Sequence, residues 1–219
     1  PEQVENFRYT INRIKNILEL SEKQFQKIIK KQKEIKPWET LIVEDNLSWE
    51  KFSRINNQLY DLNGVKPIIS ISRNYPYKEN YTHILGYVSQ ANEKDISSNK
   101  IVKDKFVQGL KVGKIGLEKS FEDTLIGDNS IERYEVNAYG RRINQLAFKN
   151  GNKGETIKLT IDTEIQQFAN QLLAEKAGSI CVMDIFTGQV IAMHSSPSFD
   201  PNAFVFGISQ DEWQLIRNN

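Results

Sequence analysis

The 219-residue chain carries 29 basic and 28 acidic residues for a net charge of +1, with 39% hydrophobic, 10% aromatic and 26% charged residues. This is globular composition, which excludes a disordered or collagen-like chain. The balanced charge argues against a broad nucleic-acid surface. The length suits one large domain or two small ones. No apolar run approaches the roughly 18 residues of a membrane span. The start Pro1-Glu2-Gln3, with no Met, basic region or apolar stretch, reads as an excised segment without a secretory signal. Cys181 is the single cysteine, which excludes an internal disulfide and a thiolate zinc site. His83 and His194 are the only imidazoles. A catalytic metal site is therefore not expected.

In chain order, residues 1–36 read as helix, with Phe7, Ile11, Ile14 and Leu18 at helical spacing. Ser21-Glu22-Lys23-Gln24 fits a capping box that restarts the helix. Phe25, Ile28 and Ile29 form the next apolar stripe. Lys27, Lys30, Lys31, Lys33 and Lys36 fall on and around the other face, either as a solvated face that complements the helix dipole or as a phosphate- or membrane-surface patch. Pro37 is expected to end this helix. Leu41–Val43 reads as a short strand, 49–60 as a helix stopped by Asn63-Gly64, and Pro67–Arg73 as a strand. Residues 92–111 are polar and read as an insertion or mobile arm. A helix over 117–125 precedes a β-hairpin of Ser130–Ala138 and Arg142–Phe148, with Tyr139-Gly140 at the turn. Asn150 to Gly154 is the clearest linker. Beyond it come a strand at Thr156–Ile161 and a helix capped by Asp162 with Ile165, Phe168, Ala169, Leu172 and Leu173 on one face. Two strands, Ser179–Asp184 and Gln189–Ser195, follow around Ile185-Phe186-Thr187-Gly188, and a helix starts near Gln210.

Ser-x-x-Lys occurs twice, at Ser48/Lys51 and Ser97/Lys100. On one helix this spacing sets an amine one turn from a nucleophilic hydroxyl. Ser48 sits at an expected N-cap and Ser97 in the polar arm, so capping and a solvated loop are the expected roles. Ser97-Ser98-Asn99 mimics Ser-x-Asn but overlaps the first pattern, and Phe186-Thr187-Gly188 supplies only a turn. A triad of His194, Ser195 and Asp200 is disfavoured, because adjacent strand residues point to opposite faces. His83 is expected to be packed or hydrogen-bonded, and Cys181 to be a buried small hydrophobe. Glu118 and Glu122, one turn apart, suit a solvated face or a salt-bridge anchor. Arg141-Arg142 suits a structural clamp, with anion binding as the other use.

Taken together and in order, several segments resemble the class B penicillin-binding proteins, the monofunctional peptidoglycan transpeptidases. Arg73-Asn74-Tyr75-Pro76 with His83-Ile84-Leu85-Gly86-Tyr87-Val88 is similar to the middle of the family's pedestal domain. Gly116-Leu117-Glu118-Lys119-Ser120-Phe121-Glu122 through Gly127 resembles its Gly-[Ile/Leu]-Glu-Lys segment, and Glu135 to Arg141 the hairpin that follows. Leu159-Thr160-Ile161-Asp162 with Gln166 resembles the start of the transpeptidase domain, and Met183 to Met193 that domain's first hairpin. Pro197 to Phe204, then Gly207-Ile208-Ser209 and Trp213, favour the elongation-type branch, penicillin-binding protein 2. The likeness runs from about residue 66 to 217. Ser130 stands where the family usually has a second glycine.

The resemblance implies an α+β fold. A non-catalytic pedestal (dimerisation) domain would occupy 1–150, with a helical head at 1–65, and a linker would occupy 151–155. The first piece of a serine transpeptidase domain would occupy 156–219, ending before the active serine. The family's Ser-x-x-Lys, Ser-x-Asn and Lys-Thr-Gly motifs are expected beyond Asn219, so no catalytic, cofactor-binding or metal-binding residue is assigned here. The parent would cross-link stem peptides during elongation and be acylated by β-lactams. It would face the periplasm from the inner membrane through an anchor before Pro1. Its pedestal would dock a SEDS-type glycan polymerase and the elongation complex's scaffold protein, with no nucleic acid. The alternative is a self-contained scaffold module with no catalytic half.

Overall fold

The computed structural model describes residues 4, 6–36, 39–107, 109–137, 142–174, 176–208 and 210–218. The expectations placed on Pro37, on the Tyr139-Gly140 turn and on Arg141 lie outside the described residues. The chain forms two compact units, one of residues 1–71 and 132–148, the other of 72–131 and 149–219.

The first unit is built on helices α1 (Phe7–Leu18), α2 (Glu22–Glu34) and α3 (Trp49–Asn56). Side-chain oxygens start all three. Asn6 Oδ1 accepts from the Tyr9 N–H at 3.0 Å and Ser48 Oγ from the Lys51 N–H at 3.3 Å. Ser21 and Gln24 form the anticipated capping box, each side chain accepting from the other's main-chain N–H. Between α1 and α2 the chain turns at Glu19 in the left-handed region, φ 57°. The apolar stripes of α1 and α2 meet Ile55 and Leu62. Ile11, Ile14, Ile17, Leu18, Leu20 and Ile28 complete this core, and Phe7, Phe25 and Ile29 pack against it.

Two expected strands are absent from this unit. Leu41 and Val43 pack on the helical core without a strand ladder. Pro67–Arg73 also forms no ladder, and Ile68, Ile69 and Ile71 stand 67%, 85% and 82% exposed. β-branched residues favour extended backbone, but a strand needs a neighbour to receive its N–H and C=O groups. The hairpin of β3 (Ile131–Val136) and β4 (Arg142–Lys149) is present as expected.

The second unit is a set of short elements. It contains α4 (Thr82–Leu85), β1 (Val88–Gln90), α5 (Glu93–Ser98), α6 (Lys100–Asp104) and β2 (Lys111–Gly113). Then come α7 (Gly116–Ser120), α8 (Glu122–Leu125), α9 (Thr163–Leu172), β5 (Gly178–Met183), β6 (Val190–Ser196), α10 (Asn202–Val205) and α11 (Gln210–Asn218). The expected helix over 117–125 is two, broken at Phe121. The polar 92–111 stretch holds α5 and α6, with Val102 buried. β1 pairs antiparallel with β2, Val88 opposite Gly113. β5 pairs antiparallel with β6, Ile180 opposite His194 and Val182 opposite Ala192. The expected strand at Thr156–Ile161 instead runs beside β6. Thr160 Oγ1 and the Asp162 N–H donate to the Val190 and Ile191 carbonyls at 2.6 and 2.8 Å, too few bonds for a ladder. The glycine-rich 150–155 stretch is hydrogen-bonded along its length. The Gly151 N–H donates to Ser130 Oγ (3.0 Å), the Asp128 N–H to the Asn152 carbonyl (2.8 Å) and the Glu155 N–H to the Thr124 carbonyl (2.9 Å).

Two faces differ from expectation. α9 buries Gln166 and Ala169, while Ile165, Phe168 and Leu172 are 40%, 58% and 51% exposed. Cys181 is exposed rather than buried. The period-2 alternation of β5 turns Ile180 and Val182 inward and Cys181 outward, and a two-stranded ribbon has only one covered face. Among the described residues no helix is long and apolar enough to cross a membrane.

The core of the first unit makes a graded prediction. Ile14→Ala removes a side chain 3% exposed and is expected to cost about 2–5 kcal/mol in urea unfolding followed by circular dichroism. Ile69→Ala, at an exposed position, is expected to stay within about 0.5 kcal/mol of the parent.

Candidate functional site

The strongest concentration of buried polar chemistry lies in the second unit, where the Arg73–Pro76 segment meets α7 and α8. Arg73 Nε donates to Glu118 Oε2 at 3.1 Å and its Nη2 to the Leu125 carbonyl at 3.3 Å. The Tyr75 hydroxyl donates to the other carboxylate oxygen, Glu118 Oε1, at 3.1 Å. One turn on, Glu122 accepts from the Gly113 N–H of β2. Glu118, Glu122 and Tyr75 are all buried. The two carboxylates are therefore anchors, with no solvated role. Burial, together with the Glu118 charge, pushes the Tyr75 phenol far above its ordinary value, so it remains a donor. Burial likewise raises Glu122, and the Gly113 N–H only partly offsets this.

Glycine makes this approach possible. Gly86 follows α4 at φ 77° and Gly116 opens α7 at φ 62°. A Cβ on Gly86 would lie 2.1 Å from the Ile115 carbonyl oxygen, and one on Gly116 would lie 2.7 Å from the Gly86 nitrogen. The two backbones touch where a side chain would part them.

The same segment holds the later part of the chain. The Asn202 amide pairs with the Tyr75 main chain, Oδ1 accepting from its N–H and Nδ2 donating to its carbonyl, each at 2.9 Å. Asp200 Oδ1 fixes that amide by accepting from Asn202 Nδ2 at 2.8 Å and from its N–H at 2.9 Å. Gln166, fully buried, pairs its amide with the Met193 main chain and donates to the Asn80 carbonyl at 2.6 Å. Thr82 donates to the Phe199 carbonyl, Tyr81 to Thr163 Oγ1 at 3.0 Å, and His83 Nε2 lies 3.1 Å from the Pro197 carbonyl. Tyr87, Phe199, Phe204 and Trp213 stack and meet edge-on around these bonds. The sequence marks Asn202 and Gln166 only as parts of motifs. Their signal is chemical, since a buried side-chain amide can replace one main-chain pairing.

The other candidates do not converge. Ser48 caps α3. Ser97 Oγ donates to the Lys94 carbonyl at 3.0 Å, and the backbone breaks at Asn99, which caps α6, so Ser97 and Lys100 do not share a helix. Ser98 donates to the Asp95 carbonyl. Ser195 pairs with Ser179 in the register where His194 pairs with Ile180, which places them on opposite faces, and Asp200 is engaged with Asn202. The Phe186–Gly188 stretch is a turn held by Asp184 Oδ1, which accepts from the Phe186 and Thr187 N–H groups at 2.8 Å. Among the described residues no group of three His, Cys, Asp or Glu side chains is placed to hold a metal.

The second unit is therefore held together by the half-buried Arg73–Glu118 ion pair and by the Asn202 and Gln166 amide clasps. The chain belongs to the penicillin-binding protein dimerisation-domain family, whose model matches residues 1–159. It is homologous to peptidoglycan D,D-transpeptidase MrdA. It is 33% identical over 216 residues to the Acinetobacter baumannii protein, covering 99% of this chain and 32% of that one. It is 33% identical over 221 residues to the Escherichia coli K12 protein, covering 100% and 35%. The chain thus spans about a third of the length of these relatives. The structure of Helicobacter pylori penicillin-binding protein 2 in complex with MreC is similar with a TM-score of 0.72 at 25% identity, over 98% of this chain and 40% of that one. That of Pseudomonas aeruginosa penicillin-binding protein 2 is similar at 0.54 and 31% identity, over 70% and 30%.

Two predictions follow from the clamp and its surroundings. Glu118→Ala leaves buried Tyr75 and the 38%-exposed Arg73 without their shared acceptor and is expected to cost about 2–3 kcal/mol. Tyr75→Phe is expected to cost about 1–3 kcal/mol, and the double variant little more than Glu118→Ala alone, measured by a double-mutant cycle in urea. The second concerns His194, which is 1% exposed with Nε2 unpartnered among the described residues. Burial pushes its imidazole below the ordinary value of 6.5, against the opposing hydrogen bond that the ring donates to the Asn80 backbone. The unfolded state then binds more protons between the two values, so stability rises with pH across that window. Unfolding free energy is expected to fall as pH drops below about 6.5, and His194→Gln is expected to flatten that slope.

Proposed function

We propose that this chain is the non-catalytic pedestal of an elongation-type serine D,D-transpeptidase, together with the first piece of its transpeptidase domain. The boundary between the two lies near residues 151–155. The family match over residues 1–159 carries the reading. The interlock of Tyr75 with Asn202 and of Asn80 with Gln166 supports it mechanically. A pedestal must transmit position to the domain it carries, and these clasps tie motif segments from both sides of that boundary into one compact unit.

In this reading the parent protein's nucleophilic serine attacks the D-Ala-D-Ala bond of a stem peptide, expelling the terminal D-Ala. A neighbouring stem amine then takes the acyl group. None of the residues described here performs a step of that reaction. Their work is to hold the catalytic domain and to present a docking surface. The parent is held at the inner membrane with this region in the periplasm. Its partners are a scaffold protein of the kind bound in the Helicobacter pylori complex and a SEDS-type polymerase. The exposed Ile68, Ile69 and Ile71 are a suitable apolar surface for the scaffold.

The test is covalent labelling by a fluorescent penicillin. The full-length protein is expected to label stably and the 219-residue chain not at all. Stable label on the short chain, at Ser48 or Ser97, would overturn the reading.

A further inference from the structure

The solvent face of α2 carries more charge than its own helix or unit can use. Lys23, Lys27 and Lys30 recur at i, i+4 and i+7 in one line, with Lys31 and Lys33 flanking it, and all five are exposed. At 100° and 1.5 Å per residue they cover an arc of roughly 160° and a length of about 15 Å. The opposite face is fixed: Ile28 is buried, Phe25 and Ile29 pack on the core, and the capping box locks the first turn. The ridge is therefore a rigid, convex, cationic surface.

Neighbouring carboxylates leave it largely unopposed. Asp61 pairs with Arg13, Glu22 with Lys15, and Glu19 and Glu50 both with Arg54. Among the described residues none of the five lysines forms an ion pair. Glu34 is exposed within the same arc, one turn after Lys30, and is the one carboxylate of α2 on that face, while Glu44, raised by burial, feels Lys27. The helix dipole accounts for Lys31 and Lys33 in the last turn but disfavours Lys23 in the first. Lys23–Lys27 and Lys27–Lys31 are like-charge pairs at i, i+4, which destabilise an isolated helix. An anionic partner offsets all these terms at once.

We propose that this lysine ridge docks against an anionic lipid bilayer surface. The shape favours a plane over a linear polyanion: the lysines spread over a broad arc of a convex helix face, and their ammonium groups end flexible stems that can follow a fluid array of headgroups. With the apolar stripe committed to the core, attachment is electrostatic and superficial and no insertion occurs. The inference concerns the helical head alone and does not depend on the transpeptidase reading.

Flotation of the 219-residue chain with vesicles tests it. Binding is expected to phosphatidylglycerol/phosphatidylethanolamine vesicles at about 0.05 M salt, to be absent with pure phosphatidylcholine, and to be lost near 0.5 M salt. Each lysine near such a surface is worth about fivefold in partitioning. The K23Q/K27Q/K30Q/K33Q variant should therefore bind at least about tenfold more weakly, with unchanged circular dichroism, while the corresponding arginine variant retains binding. Equal binding by the parent and the glutamine variant would overturn the proposal. So would no binding to anionic vesicles at low salt, or association with long-chain polyphosphate but not with vesicles.

Discussion

A buried carboxylate is tolerable only when its oxygens are filled, and Glu118 sets the terms for the second unit. Its two oxygens take one donor each, from Arg73 and from Tyr75. Those donors lie two residues apart on one segment, so a single acceptor fixes both the position and the rotation of that segment. Arg73 then has a free arm of its guanidinium to satisfy the Leu125 carbonyl where α8 ends. The Tyr75 main chain, presented edge-on, receives the Asn202 amide. Remove the carboxylate and the donors, the carbonyl and the clasp all lose their alignment together, and the buried Tyr75 hydroxyl is left without its acceptor.

The backbone geometry follows from the same constraint. For Glu118 to reach Arg73, α7 must approach the end of α4 at main-chain contact distance, and only glycines at positions 86 and 116 permit it. Both also adopt left-handed φ, so the requirement is doubled at each site. The β1/β2 ribbon is short because its task is local. It brings Gly113, whose N–H meets Glu122, beside Val88, which packs with Tyr75.

Much of this was legible in residues, and the misses share one cause. Capping signals are complete within three or four residues, so Ser21, Ser48 and Asp162 cap their helices as read. The apolar periodicity of α1 likewise specifies its buried face, because that face meets α3 within the same unit. The strands expected at 41–43, 67–73 and 156–161 do not form because extended propensity belongs to the residue while a ladder belongs to the pair. Cys181 and the α9 stripe fail for the related reason that amphipathic pattern announces which side wants cover, and the cover must come from another element. At Glu118 and Glu122 the sequence left a solvated face and a salt-bridge anchor both open. Nothing in an i, i+4 spacing distinguishes them, since the deciding partners stand 45 and 9 residues away.

The two kinds of exposed surface have different physical meanings. On α9 and β5 the uncovered residues, among them Phe168, Leu172 and Met183, continue the pattern of elements whose other faces are already packed, so they are the second sides of a layered structure. Ile68, Ile69 and Ile71 stand on a segment with neither ladder nor helix among the described residues, and their exposed side chains form an apolar surface. The lysines of α2 differ from both, because their helix is saturated on its apolar side and only charge is left to offer. A support protein needs these properties in separate places. Apolar cover fixes a layer permanently, an exposed apolar surface selects a partner by shape, and an ammonium ridge makes a contact that salt can loosen without disturbing the fold beneath it.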